Sequence, residues 1–292
     1  MIYDYSKQAV KESLNALKIE NHKMREGYVH KLLDYYNGNN TKYYIEGRFD
    51  LDAFREVPPY EANITKKFIN KMSRVYTVGA DRNVNEKYDR ISVLKDSKMK
   101  HIERMTRLIG TIACRIMYVD DDMPHFDYQP IYYFHPFFGE DPFKPVAISY
   151  PLMNYTDDVS NSEICQYIHW NDEVYIIFDE NGRVIEEKPH GYGTLPFVFT
   201  HREHQSDAFY VEGANDIMSA NEHINITMTE MQLGLRFQMF GQPVVSGADL
   251  GNNQRFGSDV ILELPSDANY NILSPAGDIN KVIENVKFQM EL

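Results

Sequence analysis

The residues able to do chemistry are few and scattered. Asp120-Asp121-Asp122, with His125 and Asp127, offers oxygens to a hard cation. Adjacent carboxylates on a strand point alternately to opposite faces, and no ordered ligand loop follows, so this run reads as an acidic solvated turn. His201, Glu203 and His204 are metal-ligand types. An i, i+3 histidine pair shares a face only on a helix, however, and the local sequence reads as a strand end. Cys114 stands beside Arg115, a neighbour able to lower a thiol pKa, but its strand context favours an inert core thiol. GxGxxG, P-loop, GxSxG and HExxH motifs are absent, and Gly191-Tyr192-Gly193 lacks a following glycine and helix. The reading is therefore of no catalytic residue, no metal and no cofactor, and attention moves to the elements that carry surfaces.

The longest of these follows Gly213-Ala214-Asn215-Asp216, a helix start with Asn215 or Asp216 as N-cap. No proline intervenes before Pro243, so about 27 residues at about 1.5 Å each predict a rod of about 40 Å. At about 100° per residue, Ile217, Ile224, Met228, Met231 and Leu235 form one apolar stripe. Ile226, Leu233, Phe237 and Phe240 form a second on the opposite side. Between them run Asn225, Thr229, Gln232 and Arg236 on one flank, and His223, Thr227, Gly234 and Gln238 on the other. A helix on the rim of one core needs a single stripe; two opposed stripes place it between two partners. Those partners are either the walls of one domain or identical neighbours in a ring.

Charge is distributed unevenly. The net −13 resolves into 21 Lys+Arg against 15 Asp+Glu over residues 1–109, 4 against 15 over 110–200, and 5 against 13 over 201–292. A protein that grips DNA by its phosphates carries a basic footprint, so nucleic acid is either no partner or one that must pass without being held. No apolar run approaches the roughly 18 residues of a membrane span, and Met1–Lys7 has neither a basic nor an apolar leader region. Cys114 and Cys165 form no CxxC pair and read as free thiols of a reducing compartment.

The remaining chain reads as α+β. Helices are expected over 6–37, stopped by Asn37-Gly38-Asn39-Asn40, over 63–78 with Ile64, Phe68, Met72 and Val75 on one face, and over 96–110. Tyr43-Tyr44-Ile45 reads as extended. Residues 111–200 alternate β-rich runs with turns: 112–119, 131–134, 146–150, 164–170, 174–178, 183–187 and 197–200, an antiparallel layer on the helices. Asn181-Gly182 predicts a type I′ hairpin turn. Beyond the rod, Val244-Val245 and 260–264 read as short strands around a polar loop. A final helix starts at Gly277-Asp278 and is still mid-pattern at Leu292, so the sequence is expected to continue.

The order of these parts resembles the portal, or head–tail connector, proteins of tailed bacteriophages. Leu33-Asp34-Tyr35-Tyr36-Asn37-Gly38 is similar to the family's early helix end, and Asn63 through Tyr76-x-x-Gly79 to its next helix. Val174-Tyr175, Asn181-Gly182 and His190-x-x-Gly193-x-x-Pro196 resemble the run into the stem. Pro243-Val244-Val245-Ser246-Gly247 with its acidic loop resembles the clip. The resemblance implies a wing over 1–209 with N-terminal helices and an antiparallel β layer, and a long first stem helix over 210–240. It further implies a small α/β clip over 241–276 and the start of a second stem helix over 277–292.

It implies no enzymatic activity, but a homo-oligomeric ring, usually of twelve subunits, assembled in the bacterial host cytoplasm and located at the virion's portal vertex. Double-stranded DNA is packaged and ejected through such a ring. Its partners are a terminase motor, head–tail adaptors, the major capsid protein and a scaffold, with no membrane. Ring contacts then fall to Ile217, Ile224, Met228, Met231, Leu233, Leu235 and Phe237. Gln232 and Arg236 become candidate channel contacts to DNA, Arg236 alternatively pairing with Glu230 or a neighbour's acid. Asp249, Asn252, Arg255 and Phe256 become the clip docking surface. The rival readings are a head-completion adaptor ring and a metal-dependent nucleic-acid-processing enzyme.

Overall fold

The computed structural model describes residues 2–49, 58–79, 95–120, 125–152, 166–205, 207–240, 242–247 and 268–273, with isolated positions elsewhere. The fold is α+β with every strand pairing antiparallel. The chain divides into two units, one of residues 1–39 with 63–218 and the other of 40–62 with 219–292. The division thus falls inside the long helix rather than before it, and residues 40–62 group with that helix instead of with the segments around them.

In the first unit the N-terminal helix is broken. α1 (Ile2–Lys18) and α2 (Glu20–Asn37) meet at Ile19, whose φ of −63° and ψ of 140° are extended. The expected single helix over 6–37 is therefore two, with Ile19 exposed at the break. α2 ends as predicted, with Gly38 at φ 78° and its N–H donated to Asp34 O at 2.8 Å, the left-handed position that favours glycine. Helix α4 (Ile64–Met72) is shorter than expected, Ser73 closing it. Asn63 caps it by accepting the Lys66 N–H at 2.9 Å. Its buried face is Thr65 and Ile69, while Phe68, Met72 and Val75 of the predicted stripe are exposed. Helix α5 (Lys95–Ile109) packs Ile102, Met105, Leu108 and Ile109 inward.

The β region is two sheets rather than one layer. β1 (Thr111–Val119) lies between β2 (His125–Ile131) and β8 (Phe197–His201). A five-stranded sheet runs in sequence order through β3 (His135–Phe138), β4 (Pro145–Leu152), β5 (Gln166–Trp170), β6 (Val174–Asp179) and β7 (Val184–Pro189). β2 was not expected: Asp127 and Pro130 are residue types depleted in strands, and the proline is tolerated because β2 is an edge strand. The β6–β7 turn is where it was predicted but is not type I′. Only Gly182 has positive φ (79°), following a turn closed by Gly182 N–H to Asp179 O at 3.0 Å, a bulged hairpin.

Alternation along the strands sorts side chains between two cores. Ile148, Tyr150, Ile168 and Trp170 join Ala113, Phe134, Phe197 and Phe209 between the sheets. Ile176 and Phe178 face the other way, onto Ala9 and Val10 of α1.

The second unit contains a short helix α3 (Thr41–Glu46), where the sequence read as extended, most of the long helix α6 (Asn215–Phe240), and a hairpin of β9 (Gln242–Ser246) with β10 (Asn269–Leu273). The partner of β9 is therefore β10; the expected strand at 260–264 lies outside the described residues. So does the clip set Asp249, Asn252, Arg255 and Phe256. Of the final helix only isolated positions such as Ile283, Glu284, Lys287 and Phe288 are described, and they are helical.

Candidate functional site

The long helix α6 forms in the expected stretch, but Asn215 is its first helical residue, so the cap position falls on Ala214 and neither Asn215 nor Asp216 is the N-cap. Its entry is fixed by a backbone crossing. Ala214 N–H donates to Leu108 O at 2.8 Å, and Arg202 donates through N–H to Gly110 O at 2.8 Å and through Nη1 to Gly213 O at 2.7 Å. A Cβ on Gly213 would sit 2.4 Å from Leu108 O, and one on Gly110, itself at φ +96°, would sit 2.1 Å from Val211 O. Two glycines are needed because two backbones touch.

Past Met218, the line of α6 that is best covered is polar. Asn225 and Thr229 are fully buried. Asn225 accepts the Ala62 N–H at 2.9 Å and donates back to Ala62 O at 3.3 Å, as a neighbouring strand would. Thr229 Oγ1 accepts the Tyr60 N–H at 2.9 Å and sends its own proton to Asn225 O at 2.8 Å. Glu222 meets Arg48 at 3.4 Å. The residues from 58 to 62 thus lie along the Asn225–Thr229 flank of the helix.

That leaves both apolar stripes at the margins of the covered face. Ile217, Met228, Met231 and Leu233 are half-buried and Leu235 is exposed. Ile224 is the correction: at 3% exposure it is satisfied inside the chain and offers nothing to a neighbour. Phe237 and Arg236 lie on the helix, but their side chains are outside the described residues. Gln232 is half-buried and continues the Asn225–Thr229 line, so part of its side chain is open to solvent. The solvent line is Asp216, Ser219, Ala220, His223 and Glu230, which carries two acids and no Lys or Arg.

The chemistry-bearing residues are engaged structurally. Asp127 pairs with Lys98 at 3.0 Å. Thr111 Oγ1 accepts the Val211 N–H at 2.8 Å and shares a hydrogen bond with His201 Nδ1 at 3.0 Å, so that ring nitrogen is engaged within the fold. Glu203 and His204 are exposed, and no group of three metal-ligating side chains occurs among the described residues. Cys114 is buried, which pushes its thiol up to about 11. Its reactivity is suppressed accordingly.

A Ser–Ser–His cluster that the sequence did not announce deserves the same test. Ser13, Ser149 and His169 are all buried, with Ser149 Oγ to His169 Nδ1 at 2.8 Å, Ser13 Oγ to Ser149 Oγ at 2.8 Å and Ser13 Oγ to Ala9 O at 2.7 Å. Ala9 O can only accept. Ser13 Oγ also lies 3.1 Å from His169 Nδ1. With the Ser13 proton on Ala9 O, all four contacts are served when His169 Nδ1–H is shared by the two serines and Ser149 donates to Ser13. A nucleophilic serine needs the histidine to accept its proton; here the histidine donates. Burial also pushes the His169 pKa down to about 4. The cluster is a bolt between α1 and the five-stranded sheet. Its only sequence signal was a serine in the apolar pattern of α1 and a histidine alternating with Ile168 and Trp170.

No protein-family model matches the chain, and no curated protein is significantly similar to it. Among the described residues no helix is long and apolar enough to cross a membrane.

Proposed function

We propose that the chain is a non-enzymatic subunit of a closed homo-oligomeric ring of the bacteriophage portal kind, a conduit for double-stranded DNA at a capsid vertex. One observation carries the reading. The long helix is covered by its own chain along a polar line, while Ile217, Met228, Met231, Leu233 and Leu235 are left partly exposed on its two flanks. A rod with apolar flanks on both sides suits a position between like neighbours, since a head-to-tail contact repeated by rotation closes into a ring.

Charge supports a conduit rather than a clamp. Residues 201–292 hold 5 Lys+Arg against 13 Asp+Glu, and a wall with few cations releases few counterions and lets a polyanion slide. In this reading the Asp216–Glu230 solvent line of α6 joins Gln232 as the face available to the channel. The terminase motor, adaptors, capsid protein and scaffold are the partners such a ring takes, and the virion vertex is its location. The test is the mass of the purified protein. Discrete closed oligomers with a central hole support the reading, and a stable monomer at micromolar concentration overturns it.

A further inference from the structure

The short helix α4 and the turn after it form a surface that the fold does not use. Between Asn63 and Gly79 the sequence has four cations, Lys66, Lys67, Lys71 and Arg74, and no acid. The same stretch exposes Phe68, Met72, Val75 and Val78, the last two by 69% and 80%. Large apolar side chains clustered in water mark a contact site. Beside them, Val75 and Tyr76 wall a cleft of about 220 Å³ against Met99 and Ile102 of α5, room for one large apolar anchor of a partner. Arg107 and Arg202 also line it, and Glu103 is spent on the Val75 and Tyr76 N–H groups at 3.2 and 3.4 Å.

The charge of the whole molecule selects the occupant. At net −13, the rest of the surface repels an extended polyanion such as a DNA duplex or an anionic bilayer, so a short acidic and apolar protrusion is what fits a local basic strip. The same chain carries one. The tip between β3 and β4 exposes Phe138, Phe143 and Val146 around Glu140 and Asp141, with Lys144 beside them leaving the tip at net −1. Phe138 also meets Phe209 edge-on at 5.2 Å, while Phe143 and Val146 stand at the surface. Asp141 Oδ1 accepts the Phe143 N–H at 2.9 Å, so the tip is a formed turn that presents its aromatic ring.

We propose that the α4 strip of one copy receives the β3–β4 tip of a second copy, with Lys67 and Lys71 facing Glu140 and Asp141 and an aromatic of the tip entering the cleft. This rests on the reading that the chain assembles with itself, and it adds a contact separate from the α6 stripes. Because the two patches differ, each copy can give one and receive one.

Complementary charge reversal tests it. One variant carries Lys67→Glu with Lys71→Glu; the other carries Glu140→Lys with Asp141→Asn, the asparagine preserving the turn acceptor. Both patches are exposed, so circular dichroism should show parental folding. Each variant alone should associate at least about tenfold more weakly than the parent, about 1.4 kcal/mol, by sedimentation velocity. Mixed in equal amounts they should reassociate, because each reversed patch then meets its opposite. Parental association by either variant alone, or failure of the mixture to recover, overturns this contact while leaving the ring reading in place. A monomeric parent overturns both. Capture of a different acidic protein by the strip without self-association also overturns the choice of a second copy.

Discussion

Removing the Asn225 side chain should release the segment it holds. Asn225→Ala deletes the acceptor for Ala62 N–H at 2.9 Å and the donor to Ala62 O at 3.3 Å. Two neutral hydrogen bonds are worth about 1 kcal/mol each, and a stranded buried N–H costs about 1–3 kcal/mol. Ala62 is only partly buried, so water reaches it once the clasp opens and the lower part of that range applies. The expected loss is about 2–3 kcal/mol, confined to the clasp because Thr229 still holds Tyr60 N–H at 2.9 Å. Native-state hydrogen exchange reads this directly: the Ala62 amide should exchange roughly 30- to 150-fold faster, at about 1.4 kcal/mol per tenfold, while amides of β4 and β5 keep their protection. Unchanged exchange at Ala62, or an equal loss across both sheets, would refute a local clasp.

Three further outcomes follow from other contacts. Gly213→Ala places a Cβ 2.4 Å from Leu108 O; the backbones must separate, so thermal unfolding should show a loss of about 3 kcal/mol or more, beyond ordinary overpacking. Burial lowers the His169 pKa to about 4 from 6.5, so between those values the unfolded chain binds a proton that the native state does not. The stability from this group is complete above pH 6.5 and is lost as pH falls toward 4. His169→Asn, which keeps a donor near the Nδ1 position, should flatten that part of the urea-midpoint profile, and an unaltered profile would dismiss the bolt. Leu233→Asp puts an unpaired carboxylate on an apolar flank of α6, a cost of several kcal/mol per contact if a neighbour covers it. It should abolish assembly with helical content retained, as seen by light scattering and circular dichroism.

The legible parts of this fold were those set by local physics. The Gly38 stop, the place of the Asp179–Gly182 turn, the stretch that forms α6 and most strands each depend on residues within a few positions of one another. What the sequence hid was set by distant partners. The α4 face predicted to be buried is exposed, because Thr65 and Ile69 pack inward and leave Phe68 outside. The Asn225–Thr229 flank was correctly separated from the two stripes, but its cover, residues 58–62, lies more than 160 positions away. The break at Ile19 had no proline or glycine to announce it. Among the described assembly residues, only Ile224 was lost to the chain's own interior, and helical periodicity alone cannot distinguish it from Met228 one turn further on.

The measurement closest to the central claim is the single-particle mass of the purified chain, taken with negative-stain images of the same sample. The expected result is a discrete closed oligomer seen end-on as a ring with a central hole, dissociated by Leu233→Asp. A monomer whose α6 flanks stay exposed in solution, with no ring at any protein concentration up to tens of micromolar, would contradict it.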